Sequence, residues 1–218
     1  IAKYYIPSGR CIQALDYSDR NDDGSVGSIA DSLKTEFKTS NGRSVWDGGG
    51  VNPDIKLEPR KYSNILAGIM SKRHIFDFAN KYYREHETLS SPSLFEVNDE
   101  LYSDFVSYLS GKEYEYETRT EKAINKMLKD AKKEKYYSDL QTEIDVLESK
   151  MKASKKNDLD RFKEEIIEVI EAEIVTRYYF QNGRIEASLK HDDEVNKAVE
   201  ILQDYEAYNA ILKGTYQE

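Results

Sequence analysis

The hydrophobic period of this chain changes once, near Tyr62. That change restricts the fold to a β-rich start joined to a helical remainder. Before it, apolar residues alternate in short runs broken by Pro7-Ser8-Gly9, Asn41-Gly42 and Gly48-Gly49-Gly50. After it, they recur at steps of three and four, which places them on one face of a helix. The predicted class is therefore α+β: short antiparallel β-hairpins over residues 1–58, then a mainly α-helical domain over residues 59–218 with a long antiparallel helical hairpin.

In the first part, residues 1–6 and 10–15 pattern as two strands around the Pro7-Ser8-Gly9 turn. Residues 16–32 are a polar excursion. Residues 34–39 and 43–47 pattern as a second hairpin, and Asn41-Gly42 predicts a type I′ turn with positive φ at both central residues. Pro53 donates no ladder hydrogen bond, so the strand expected over Asp54-Ile55-Lys56-Leu57 lies at an edge or begins at the proline. Gly9, Gly42 and Gly50 are expected to set backbone angles, and Arg10 and Arg43 to pair with carboxylates.

In the second part, Ile65 to Tyr82 predicts one broken helix reaching about Glu87. Asn98 is an expected N-cap for a helix carrying Leu101, Tyr102, Phe105 and Leu109, ended by Gly111. Residues 118–153 form one long polar helix or two in sequence. Residues 159–181 form another, stopped by Asn182-Gly183. Asp192 is expected to cap a last helix through Leu212. Stripes as narrow and charged as these need a partner helix, so the two long helices are expected to pair antiparallel.

Charge narrows the partners. The chain holds 32 basic and 41 acidic residues, net −9. Residues 1–60 carry 8 and 9 of these, so the acidic excess sits in the helical part. An acidic surface repels phosphate, which argues against nucleic acid and an anionic lipid face. No run approaches the ~18 apolar residues of a membrane span. Cys11 stands alone, so no internal disulfide and no zinc cluster is expected.

Two groups of residues, in order, resemble the last strands of the carboxy-terminal processing peptidases, also called tail-specific proteases. They are Lys3-Tyr4-Tyr5-x-Pro7-Ser8-Gly9-Arg10-x-Ile12-Gln13, and Asn41-Gly42-Arg43 with Gly49-Gly50-Val51-x-Pro53-Asp54-Ile55. Arg177-Tyr178-Tyr179 and Asp193-Glu194-Val195 are similar to the long helical tail of a cell-envelope branch of that family. The resemblance implies a serine endopeptidase with a Ser/Lys dyad, in which a buried neutral lysine takes the serine proton. It implies that both residues, and a PDZ module that binds C-termini, lie upstream of Lys3. Lys3 is within the following strand and is not that base. No catalytic, cofactor-binding or metal-ligating residue is therefore expected in this chain, and no cofactor. The implied location is the periplasm or cell envelope. The implied partners are an unfolded or C-terminal polypeptide substrate through the parent enzyme, and a second copy or the upstream part of the enzyme at the open edge of residues 1–6. The alternative is a non-catalytic helical interaction scaffold.

Three further patterns have bland readings. Asp19-x-Asn21-x-Asp23-Gly24-Ser25 begins like a calcium loop, but Ala30 stands where a bidentate glutamate belongs, so a solvated acidic loop is the better reading. His74, His86 and His191 show no metal spacing, and no G-x-S-x-G elbow is present. The 17 tyrosines include the pairs Tyr4-Tyr5, Tyr82-Tyr83, Tyr136-Tyr137 and Tyr178-Tyr179. Each helical pair is expected to send one ring inward and leave one at the rim, the alternative being a surface that holds unfolded polypeptide. Lys129–Lys135 and Lys150–Lys156 are expected to solvate helix faces and the hairpin tip.

Overall fold

The computed structural model describes residues 3–20, 26–28 and 31–216. It divides into two compact units, Ile1–Glu58 with Asp193–Glu218, and Pro59–Asp192.

The first unit holds two antiparallel two-stranded sheets among its described residues, β1 (Leu15–Arg20) with β2 (Val26–Ser28), and β3 (Glu36–Lys38) with β4 (Ser44–Trp46). The β1–β2 ladder falls in the segment expected to be a polar excursion. Backbone N–H and C=O groups make the ladder, and polar residues supply them as well as apolar ones. Among the described residues, which leave out Ile1 and Ala2, the strands expected over 1–6 and 10–15 show one bridge, between Tyr5 and Cys11. Around it, Ile6 N–H donates to Arg10 O at 3.0 Å and Ile12 N–H to Tyr4 O at 3.1 Å. The β3–β4 hairpin pairs Phe37 with Val45. Its turn is not type I′: Gly42 has φ 79° while Asn41 stays at negative φ. Thr39 O accepts Gly42 N–H, and Arg43 O accepts Thr39 N–H, both at 2.9 Å. This is a three-residue loop with glycine in the left-handed position. Residues 53–57 form no strand, because Pro53 offers no N–H and the segment lies against two helices of the same unit, α8 (Asp193–Gln203) and α9 (Tyr205–Lys213). The predicted single last helix is thus two, since Asp204 interrupts it and caps α9 through the Ala207 N–H at 2.9 Å.

The second unit is helical. Lys72 and left-handed Arg73 (φ 60°) split the expected broken helix into α1 (Asn64–Ser71) and α2 (His74–Glu85). Asn98 caps α3 (Asp99–Leu109) by accepting the Leu101 N–H at 2.9 Å, and Gly111 follows its end at φ 76°. Residues 118–155 are two helices, α4 (Arg119–Glu134) and α5 (Tyr137–Lys155). Thr118 and Glu121 close a capping box at the start of α4. A short α6 (Asp158–Arg161) leads into α7 (Lys163–Ser188).

The antiparallel hairpin is α4 with α5, turned at left-handed Lys135 and tied at its base by Lys155 Nζ to Glu121 Oε1 at 3.0 Å. The expectation that the helix after residue 159 is the second arm is corrected: α7 packs on α2 and helps build the main core. That core joins Ile65, Leu66 and Ile69 of α1, Ile75 and Phe78 of α2, Phe105 and Leu109 of α3, and Ile166, Ile170, Ile174 and Val175 of α7. Each such buried side chain contributes roughly 1.5–3 kcal/mol by apolar transfer. α7 has enough apolar residues around its circumference to be a central helix, whereas α4 and α5 bury little beyond Ile124, Ala131 and Ile144. Asn182-Gly183 does not end α7. The break falls at Phe180 (φ 57°, ψ −154°), and the helix resumes to Ser188.

Candidate functional site

Lys3 is exposed, so burial cannot make it a neutral base. The calcium-like segment 19–30 lies largely outside the described residues. Among the described residues no three His, Cys, Asp or Glu side chains gather as a metal site. His74 bonds Glu113 O at 2.8 Å, and His86 stacks on Tyr82 with ring centroids 3.9 Å apart. Ser63 caps α1 and hydrogen-bonds the Glu165 carboxylate, so its hydroxyl has a structural use.

The helical unit contains a polar network that sequence reading missed. Glu171 lies on the inner face of α7, three residues before Ile174, and is only 3 % exposed. Its Oε1 accepts Val97 N–H at 2.9 Å. Its Oε2 meets His191 Nε2 at 2.8 Å and Lys190 Nζ at 2.9 Å. A glutamate at a core position of an otherwise apolar stripe was the available signal. Two residues further along α7, Glu173 receives Arg177 at 2.5 Å and Arg184 at 2.9 Å. Burial pushes the Glu173 carboxyl up, but hydrogen bonds and charge from the two arginines outweigh it and hold it below the usual carboxylate range. The Arg177 guanidinium also donates to Asn80 Oδ1 at 3.1 Å and Phe76 O at 3.1 Å, fastening α7 to α2. These groups are mutually satisfied and position helices; none presents a nucleophile to a cavity.

Among the described residues, both units carry concave surfaces. In the helical unit, a cleft of about 310 Å³ lies between α2 and α3, floored by Phe78 and Phe95 and rimmed by Lys81, Glu85, Glu100 and Asp104. In the other unit, a groove of about 730 Å³ runs between Pro53–Glu58 and the helices α8 and α9. Ile55, Leu57, Ala198, Ile201, Leu202 and Ile211 line it, with Asp54, Lys56, Glu194 and Lys197 at its margin. The glycine-rich hairpin beside it is held by Arg10. Among the described residues Arg10 meets no carboxylate, contrary to expectation; its guanidinium donates to Trp46 O at 2.8 Å and Gly50 O at 3.3 Å. Arg43 does meet a carboxylate, that of Asp54, and donates to Ile211 O at 3.0 Å.

The helical tyrosine pairs divide as expected: Tyr82, Tyr137 and Tyr178 are half-buried while Tyr83, Tyr136 and Tyr179 are exposed. No helix among the described residues is long and apolar enough to cross a membrane.

Residues 65–202 match the sequence model of the family described as "Probable PDZ-protease, C-terminal helical domain". No curated protein and no solved structure matches the chain.

Proposed function

The chain belongs to the family of C-terminal helical domains of probable PDZ-proteases, a protease-associated helical module, and from that premise we propose that it is the C-terminal portion of a serine endopeptidase of the carboxy-terminal processing type. Residues 1–58 complete the peptidase sheet in this reading, and residues 59–218 form the helical domain. The Ser/Lys dyad lies upstream of Lys3. The helical domain serves packing, contact with unfolded substrate or self-association, in the periplasm or cell envelope.

The observation that carries the reading is the family match over residues 65–202, which follows the glycine-punctuated hairpins in the order the peptidase resemblance requires. The arrangement of those hairpins is consistent with it. Arg10 cross-links the Pro7-Ser8-Gly9 turn to the Gly50 segment, so the two groups of resembling residues meet in space. The apolar groove along Pro53–Glu58 supports a polypeptide-contacting role.

The test uses a serine-reactive fluorophosphonate and an unfolded protein substrate. The chain by itself is expected neither to label nor to cleave. A parent protein extended upstream of Lys3 is expected to do both, and to lose both when its serine or its lysine is replaced. Specific labelling and cleavage by the chain alone overturns the proposal. An upstream sequence lacking the serine and lysine favours the interaction scaffold instead.

A further inference from the structure

The outward face of α4 is a continuous line of cations. Ile124 and Ala131 of this helix are buried in the hairpin. Arg119, Lys122, Lys126, Lys129 and Lys133 follow one another at steps of three and four, and all five are exposed. At 3.6 residues per turn they fall within about 80° of arc, centred opposite Ile124. Every α4 residue in that arc is basic. From Arg119 to Lys133 the line runs about 21 Å. Glu117 lies 4.0 Å from Lys122, Asp130 borders the arc about 20° beyond Arg119, and Lys132 sits outside the arc, 4.8 Å from the Tyr137 ring.

This basic line belongs to an acidic protein. Residues 119–155 carry ten basic and seven acidic residues, whereas the other residues carry 22 and 34. Solvating a helix needs charge but not charge of one sign, so helix solubility alone does not account for the line. Like charges at steps of three and four repel one another, which costs the isolated helix a few tenths of a kcal/mol per pair.

We propose that the outward face of α4 docks an acidic helix of a partner polypeptide. Charge complementarity sets the sign of the partner. The width of the line sets its shape: it is one helix wide, and the surrounding acidic surface disfavours a broad polyanion such as a membrane or a duplex. Single-stranded nucleic acid is narrow enough, but its binding sites add aromatic stacking platforms, and the arc contains none. A partner helix with carboxylates at the same steps has the same rise per residue, so all five pairs form together.

The experiment measures fluorescence anisotropy of the full chain with two labelled helical peptides of identical composition. One bears glutamates at i, i+3, i+7, i+10 and i+14; the other has them spread around the helix. The aligned peptide is expected to bind at least ~10-fold more tightly at low salt, with the difference shrinking as salt rises. The triple variant K126E/K129E/K133E is expected to lose that binding, and K126R/K129R/K133R to keep it. Circular dichroism and urea midpoints confirm that both variants fold. Equal binding of the two peptides, or undiminished binding by the glutamate variant, overturns the proposal. So does binding to phosphatidylglycerol vesicles or a single-stranded oligonucleotide with none to the aligned peptide.

Discussion

The Glu171 carboxylate accepts the Val97 N–H at 2.9 Å across 74 residues of sequence, with the glutamate only 3 % exposed. This bond fixes the segment before α3 onto α7, and Lys190 and His191 complete the other oxygen. Removing a buried partner leaves donors stranded, which costs more than the bond itself contributed. Glu171→Leu is expected to lower unfolding free energy by about 3–5 kcal/mol, and Glu171→Gln by less, because the amide oxygen still accepts from Val97. Urea titration followed by far-ultraviolet circular dichroism reads both. A loss below about 1 kcal/mol in the leucine variant contradicts the assignment.

Acid is expected to weaken the helical unit through Glu173. Burial raises its carboxyl, yet Arg177 and Arg184 outweigh that and leave it below its ordinary 4.5. A group depressed in the folded state contributes stability above its unfolded value, and that contribution disappears as pH falls through the folded value. Urea midpoints measured from pH 7 to pH 3 should therefore drop below about pH 4.5. In Glu173→Gln that part of the slope should vanish, while the remaining carboxylates keep theirs.

Alkali acts with the opposite sign through Tyr102. Burial, with lesser help from Asp160 and Tyr114, raises its phenol from 10.0 to about 12. Its hydroxyl donates to Leu159 O at 2.6 Å, holding α3 to α6. The contribution is complete below pH 10 and is lost as pH climbs toward 12. Tyr102→Phe is expected to be less stable at neutral pH, by about 1 kcal/mol, with a shallower alkaline decline. Equal alkaline slopes in the two proteins would contradict this.

The interruption in α7 predicts opposite outcomes at two positions three residues apart. Phe180, 76 % exposed, sits at φ 57° and ψ −154°, a backbone region suited to glycine. Phe180→Gly is expected to raise stability by about 1 kcal/mol. Gly183 is buried, and a Cβ there would meet Tyr179 Cβ at 2.2 Å and Val175 Cγ1 at 3.2 Å. Gly183→Ala is expected to destabilise by about 2 kcal/mol or more. Thermal midpoints moving in the same direction for both variants would refute the pairing.

In the first unit, Arg10 is the strut. Arg10→Ala strands the carbonyls of Trp46 and Gly50, so the hairpin should loosen locally rather than unfold the helical unit. Trp46 is the single tryptophan in the sequence and reports on this directly. A red-shifted, more quenchable emission is expected with little change in helical circular dichroism. Unchanged Trp46 emission would count against the strut.

The sequence by itself determined the local events. The change of period near Tyr62, the Asn98 cap and the Phe37–Val45 hairpin all follow from residues within a few positions of one another, where propensity and capping act. It also carried the family resemblance, because that rests on ordered short motifs. Only the tertiary structure decided which helices became partners. α4 and α5 have stripes too narrow to enter the main core and satisfy each other, while α7 is apolar enough to sit against α2. The embrace of Glu171 by Val97, Lys190 and His191 was likewise set by contacts between distant segments. Such contacts are decided by packing and by the need to satisfy buried polar groups, and neither leaves a periodic trace in the chain.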